Sequence, residues 1–567
     1  MSEAVWNLFL SCPEKEDVLV AHLEPFGEDQ RLSTDVEGIR VTINQERKES
    51  YTLLTISAEA KQGRCYLSFA CEYPDGKLLT FSGEKSGVEV FRQSPHDPAD
   101  HVLDMAKEAV PMVALTGGNG FIVALSDQPG HCDNYTTQYI NTDQKEFRIS
   151  SGDSGETPGY QGKEFLPYYH ELREGKGHEF RLAVFRSEAA TMTQLRNDVF
   201  SCIDTLWGMG GCSKFHAVCF SSNYMHYRRN ETGCSDFWVT PGIDYGNKQY
   251  TRDAFWQSMI LPLAMEQQCY DAVYPVRYKY AECAMIFLIW SYRLQKRGGK
   301  ADLIRMQDAL EYMQRHAAGS LYLAGSDHDE KYDFKSWYDI CAFENDDVIT
   351  YNQGLFAVAL RACEMCGLKP NIEWKAAQDK YNALFCREMG YFPLSDKKHC
   401  LSADVLVGDL LSYLLFGEVL TDDEKVAANY ELLMKNANTP YGVKVTCAEN
   451  GDYLPLEFYG ANGYINEVLQ GHRPGYYSWG GSYFLYEMLF HIAAYLHGVK
   501  QAENNMIRRT KLDFSIGGTY YEHIDTVTGE GNKPNQGWNA AIYAIWDMLM
   551  QQGKASDRFF REIEKVL

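Results

Sequence analysis

Two acidic side chains stand in surroundings suited to acid–base chemistry. Asp253 lies near the end of the segment TPGIDYGNKQYTRDAFW (residues 240–256), directly after Arg252 and ahead of Phe255, Trp256 and a helix. Glu522 lies in GGTYYEHIDTVTGEGNKPNQGWNAAIY (517–543), flanked by Tyr520, Tyr521 and His523 and followed by Gln536, Trp538 and Asn539. Two carboxyl groups among aromatics and amides are what glycosidic-bond hydrolysis requires. One protonates the leaving oxygen, and the other activates water or attacks the anomeric carbon. Each residue also has a plainer reading. Asp253 reads as a helix N-cap. Glu522 reads as a loop glutamate in a structural salt bridge, and Asp525 is its local rival.

Further residues in the long, Gly-, Trp- and Tyr-rich connections are candidates for binding hydroxyl-rich ligands. They are Tyr245, Arg252 and Trp256 in the first segment; Trp337, Asp339, Asn352 and Gln353 in the second (327–353); His472, Arg473 and Trp479 in the third (472–483); and Tyr521, Gln536 and Trp538 in the last. Asp and Asn offer acceptors and donors, and Trp offers a stacking face. Packed loop aromatics and helix caps are the alternative for each. Glu344, Asp346 and Asp347 read as a solvated acidic loop rather than a cation site. No metal and no cofactor is expected, and the Cys363/Cys366 pair has no second pair or His to complete a zinc site.

These segments need a scaffold. Gly38–Ile43, Tyr51–Ala58, Arg64–Ala70, Phe121–Leu125 and Phe180–Phe185 are short, rich in β-branched and aromatic residues and separated by turn formers, which predicts a β-sandwich. Gly117–Gly120 lacks the pattern of a phosphate loop and reads as a hairpin turn. From about residue 190 the period becomes helical. Asp253–Glu266, Ala281–Gln295, Ala301–His316, Tyr351–Cys366, Glu373–Glu388, Asp404–Phe416, Asp423–Lys435, Ser482–His497, Trp538–Gln551 and Asp557–Val566 are the clearest helices. Fully apolar stretches such as CAMIFLIW alternate with amphipathic ones, as inner and outer rings would. The expected fold is multidomain α+β: an N-terminal antiparallel β-sandwich (1–188), then an (α/α)6 toroid (189–567). In a closed toroid the loops bearing Asp253 and Glu522 meet, although 269 positions separate them (522 − 253). An α-solenoid competes, but no fixed-period repeat is visible.

Composition narrows the partners. A net charge of −23 over 567 residues opposes nucleic acid and anionic membranes. The 38 Tyr and 10 Trp suit both a large core and stacking on sugar rings. Sixteen scattered cysteines, no signal-peptide pattern and no membrane-length apolar run predict a cytoplasmic protein. Sequence leaves the oligomeric state open.

The segment Tyr250-Thr-Arg-Asp253-Ala-Phe-Trp256 resembles the general-acid segment of inverting (α/α)6 glycosidases of the processing α-glucosidase, trehalase and mannosylglycerate or glucosylglycerate hydrolase type. Tyr521-Glu522-His-Ile-Asp525, Thr528-Gly-Glu-Gly531 and Gln536-Gly-Trp538-Asn-Ala-Ala541 are similar to their C-terminal signature. The resemblance implies Asp253 as general acid, Glu522 as general base and a short α-linked oligosaccharide or glycoside as substrate, cleaved with inversion. Arg252 stands where that family usually has Trp, and an Arg-Asp pair also resembles debranching-type sequences. Three other readings stay open. A polysaccharide lyase would use Tyr476 or His472 with Arg473. A sugar phosphorylase would hold phosphate in place of the base. A non-catalytic carbohydrate-binding protein needs neither carboxylate.

Overall fold

The computed structural model describes residues 4–73, 75–93, 110–117, 120–126, 136–152, 169–207, 213–225, 227–229, 237–239, 241, 249–273, 281–325, 334–460, 469 and 471–567. The chain divides into two compact units: Met1–Lys248 with Phe514–Thr519 and Ile563–Leu567, and Gln249–Asp513 with Tyr520–Glu562.

The first unit carries two antiparallel sheets. One has seven strands, with Gln62–Glu72 central between Val5–Ser11 and Glu146–Ser150. The other has eight, in which Gln30–Val36, Ile39–Arg47, Thr52–Glu59, His178–Ser187, Gly120–Ser126 and Met112–Gly117 follow one another. Alternation sets which face is inward: Ile39, Val41 and Ile43 are buried while Arg40 is exposed. Leu8, Leu10, Phe69 and Ile149 from the first sheet join Val41, Ile43, Leu54, Ile56, Phe180 and Leu182 from the second in one hydrophobic cluster. Gly117 pairs with Gly120 across a hairpin; its turn residues, 118 and 119, lie outside the described residues. A Cβ on Gly120 would stand 2.1 Å from the Ser187 carbonyl oxygen, so only glycine fits there.

The second unit is helical. Thr251–Ser258 touches Cys283–Lys296, which touches Thr350–Met365. Val407–Phe416, Phe484–Leu496 and Ala541–Gln551 follow in turn, and the last of these returns to Thr251–Ser258. Five of these helices are mostly buried, and Ala541–Gln551 buries five of its eleven residues; Phe484–Leu496 buries every residue from Phe484 to Tyr495. Leu263–Ala272, Leu303–Arg315, Trp374–Ala383 and Asp423–Asn436 pack against them and bury only a stripe each, such as Met306, Ala309, Leu310 and Met313. Gly354 and Gly408 let two ring helices meet backbone to backbone: a Cβ on Gly408 would lie 2.4 Å from the Gly354 carbonyl carbon.

One predicted helix is two. The run expected over Asp253–Glu266 stops at Ser258 and restarts at Leu263, because Pro262 has no N–H to donate and holds extended backbone. The restart buries Glu266 against Arg293, Arg297 and the Trp290 indole N–H, the last 3.0 Å away. Among the described residues, no helix is long and apolar enough to cross a membrane.

Candidate functional site

Tyr250 is the N-cap of Thr251–Ser258, so Asp253 is not the cap but a first-turn residue, 2% exposed. Arg252 sits between two buried carboxyls. Its Nη2 is 3.3 Å from Asp253 Oδ2, and its Nη1 is 3.0 Å from Glu282 Oε1. The guanidinium also lies 5.2 Å from the centre of the Trp538 ring. Burial pushes the Asp253 pKa up to about 6; Arg252 opposes that rise and the charge of Glu522 adds to it. Glu282 is pushed up by burial to about 7, with Arg252 again opposing.

Glu522 lies on the strand Tyr521–Ile524, between Ser482–Tyr483 and Gly531–Pro534. Its neighbours fix it through Tyr521. The Tyr521 N–H donates to Asp513 Oδ1 at 2.9 Å, and the Tyr521 carbonyl accepts from Asn539 Nδ2 at 2.8 Å. Lys533 Nζ is 3.6 Å from Glu522 Oε2. Lys533 and Asn535 both take positive φ (53° and 58°), an unusual cost for non-glycine residues beside the carboxylate. Asp525, the local rival, holds a turn: its Oδ1 accepts from the Val527 and Thr528 N–H groups at 2.8 and 2.9 Å. His523 stands among the rings of Tyr476, Tyr477 and Tyr483, 5.1–5.6 Å between centres. Burial, with Lys533 and Arg509 nearby, pushes it down to about 3, so it is neutral.

The other predicted site residues fall into three groups. The first lies with the carboxylates. Asp339 accepts from the Tyr477 hydroxyl at 3.0 Å and is raised by burial to about 6, within reach of the charges of Arg252, Glu522 and Lys533. Trp538 lies under Arg252. Trp256 and Gln536 are fully buried, and neither the Trp256 and Trp538 indole N–H groups nor the Gln536 amide finds a hydrogen-bond partner among the described residues. The second group is absorbed by the framework. Gln353 donates to the Ser320 and Ala377 carbonyls and accepts from the Tyr322 N–H at 2.8 Å. Trp337 stacks on Tyr486 at 3.8 Å and donates to Asp404 at 2.6 Å. Trp479 donates to the Leu454 carbonyl. Asn352 donates to the Lys335 carbonyl while its Oδ1 has no hydrogen-bond partner among the described residues. The third group is exposed: His472, stacked on Tyr476 at 3.6 Å, and Arg473. Tyr245 lies outside the described residues. Of the acidic loop, Asp346 pairs with Lys397, and Asp347 caps the Glu344 N–H.

Sequence reasoning passed over Glu282, Lys533, Asp404 and Asp513. The only trace of Glu282 is a lone acid heading the apolar run CAMIFLIW. A buried donor or acceptor without a partner costs about 1–3 kcal/mol. The indoles of Trp256 and Trp538, the Gln536 amide and the His523 ring are such groups. Trp538 touches Arg252 and His523 adjoins Glu522, so part of this set borders the carboxyls. Neutral donors and acceptors next to a carboxyl raised to about 6 suit a hydroxyl-rich, uncharged ligand.

No protein-family model matches the chain, and no curated protein does. Solved structures overlay loosely. A bacterial glucoamylase complexed with acarbose is 10% identical, with 98% of this chain and 90% of that one covered and a TM-score of 0.39. The mannosylglycerate hydrolase of Thermus thermophilus with Tris and D-glycerate is 9% identical over 55% of this chain and 96% of its own, with a TM-score of 0.36. A protein described as a wild-type glycosidase is 12% identical over 60% and 96%, with a TM-score of 0.39. All three TM-scores are low, and none of these likenesses bears on the chemistry of the site.

Proposed function

We propose that the chain is a glycoside hydrolase, a β-sandwich followed by an (α/α)6 toroid, that cleaves a short α-linked oligosaccharide or glycoside with inversion. The closed circuit of six helices, five of them mostly buried, backed by amphipathic ones supports the toroid. The observation that carries the chemistry is the pairing of Asp253, held partly protonated near neutral pH, with Glu522, close enough that its charge acts on Asp253. In this reading the Asp253 proton passes to the glycosidic oxygen as the bond to the anomeric carbon breaks. Glu522 takes a proton from water as the water oxygen adds to that carbon. Asp253 is left ionised and Glu522 protonated, and exchange with solvent resets both. Arg252, Trp538 and Asp339 border the acid, and Gln536 and Trp256 would meet sugar hydroxyls.

The test is to incubate the protein with α- and β-linked glycosides and follow the first-released anomer by NMR. The reading expects an inverted anomer, no need for phosphate, and loss of release in Glu522→Gln. Retention of configuration would remove the inverting assignment. Release only with phosphate would make the protein a phosphorylase. No release from any neutral glycoside would remove the hydrolase reading altogether. The rate should fall as pH climbs past about 6, where Asp253 loses its proton.

A further inference from the structure

We propose that Tyr477 is a positioning residue: its hydroxyl fixes the Asp339 carboxylate and keeps it ionised near neutral pH, so that Asp339 accepts a hydrogen bond from a hydroxyl of the ligand, a role that rests on the glycosidase reading above. Tyr477 has a φ of +48°, a left-handed conformation that a bulky side chain rarely takes. Such strain persists only where the surroundings over-determine it, and it gathers at binding and catalytic sites. Here the Gly481 N–H donates to the Tyr477 carbonyl at 2.8 Å, and the Gly475 N–H donates to the Trp479 carbonyl at 2.8 Å. A Cβ on Gly481 would stand 2.3 Å from the Tyr477 carbonyl oxygen, so only glycine fits beside it. Held this way, the Tyr477 ring packs against His523 and Tyr483, with centres 5.4 and 5.7 Å away. Its hydroxyl donates to Asp339 Oδ2 at 3.0 Å.

Two bonds cross between the same two loops. Tyr338 donates to the Ser478 carbonyl, and Tyr477 donates to Asp339. The first, to backbone, docks one loop on the other. The second ends on a buried carboxylate, 6% exposed, beside the proposed acid and base, although a backbone acceptor would serve docking equally well. Burial disfavours the charge of Asp339 and lifts it to about 6. The Tyr477 hydroxyl opposes that rise most, ahead of Arg252 and Lys533, while the charge of Glu522 adds to it. Asp339 is thus faced by Arg252 on Thr251–Ser258 and by Tyr250 at the N-cap of that helix, which also feels Asp253. Glu522 on Tyr521–Ile524, Lys533 on Gly531–Pro534 and the hydroxyl of Tyr483 complete its surroundings with Tyr477. An ionised carboxylate is the stronger acceptor for a sugar hydroxyl, because charge-assisted hydrogen bonds are about twice as strong as neutral ones. Loss of the Tyr477 hydroxyl alone would leave these other charges in place and let Asp339 take up a proton at higher pH.

The experiment compares wild type, Tyr477→Phe and Asp339→Asn, with thermal unfolding of each. Phenylalanine keeps the ring packing and removes only the hydroxyl. The infrared band of the protonated carboxyl that is lost in Asp339→Asn should titrate at about pH 6 in wild type and about one unit higher in Tyr477→Phe. That readout needs no ligand. Calorimetry with glucose, mannose and galactose, and KM for whichever glycoside is cleaved, then read binding. At about pH 6 the affinity of Tyr477→Phe should lie about fivefold below wild type, and by about pH 8 the two should agree. A band that titrates as in wild type overturns the inference, and so does an affinity loss that is the same at every pH. A wild type that binds none of these sugars and cleaves no glycoside, but whose band still moves in Tyr477→Phe, would defeat the glycosidase reading and leave the hold of Tyr477 on Asp339 standing. A wild type that binds or cleaves, with a band that does not move in the variant, would defeat only the role of Tyr477.

Discussion

Among the described residues, the helical unit buries two arginines that each stand between two carboxylates, and the two clusters behave differently. Arg509 lies between Glu487 and Asp513, and Arg252 between Glu282 and Asp253. Around Arg509, Glu487 Oε2 also accepts from the Val443 N–H at 3.0 Å and the Ser482 hydroxyl at 2.6 Å. Burial pushes Glu487 up, but His491 and Arg509 outweigh it and bring it down to about 2. Around Arg252, burial wins over the same kind of cation and raises Glu282 to about 7. The same residue types thus make a fixed girder in one place and a titrating trio in the other. What separates them is the second partner: His491 and Arg509 act together on Glu487, whereas Arg252 faces Glu282 and Asp253 at once.

The largest effects should come from the trio's side. Asp253→Asn and Glu522→Gln should each lower kcat on the order of 10³-fold while the unfolding midpoint stays put. Near-normal turnover in either would erase the distinction drawn here, because the open cluster would then have no chemistry to serve. The girder should answer in stability instead. Arg509→Met leaves Glu487 and Asp513 buried without their cation, and urea unfolding should register a loss of about 3–5 kcal/mol. It should also disturb turnover, since Asp513 anchors the Tyr521 N–H next to Glu522. Arg252→Met should cost far less stability, because carboxyls raised to about 6 and 7 can take protons and become neutral near pH 7. Equal losses from the two arginines would break the comparison.

A smaller test uses two glutamines. Gln353 has its amide bonded to three backbone groups, whereas the Gln536 amide has no hydrogen-bond partner among the described residues. Gln353→Leu should destabilise the protein by about 2 kcal/mol and leave KM unchanged. Gln536→Leu should leave the unfolding midpoint near wild type and lower kcat/KM by about tenfold.

That pair also marks what the sequence could convey. Both glutamines stand in aromatic-rich segments at helix starts, and nothing local separates them. Hydrogen-bond satisfaction is a property of neighbours that arrive from elsewhere: Tyr322, Ser320 and Ala377 for Gln353. Period and turn chemistry are local, and there the reading went far. All but the first residue of GIRVTI and of YTLLTISA lie in the strands Ile39–Arg47 and Thr52–Glu59, and CAMIFLIW opens the buried helix Cys283–Lys296. The helix Lys214–Met225 escaped because Ser221, Ser222 and Asn223 are weak helix formers. The break at Pro262 escaped because apolar residues continue the period across it. Glu282 escaped because Arg252, which gives it meaning, is 30 residues earlier in the chain.

The smallest effect concerns a third charge cluster, at His497, in which Asp409 is buried and Asp423 exposed. Its Nε2 is 2.8 Å from Asp409 and its Nδ1 is 2.7 Å from Asp423, so one imidazole ties the helices Val407–Phe416 and Asp423–Asn436 to its own. Burial pushes its pKa down, but the two aspartates more than offset that, and the net shift is upward. The folded state therefore binds the proton more tightly than the unfolded chain. The stabilisation is fully present below the unfolded value of about 6.5 and fades as pH rises through the folded value. Unfolding midpoints of wild type and His497→Gln should differ most near pH 6 and draw together as pH rises through the folded-state value. Turnover at the Arg252 trio should not follow that convergence, because the clamp is completed by its own carboxylates, as the Arg509 girder is. A gap between the two midpoints that stays constant across this range would mean that His497 is held neutral. Completion by hydrogen bonds alone would then not be enough to keep a buried group charged.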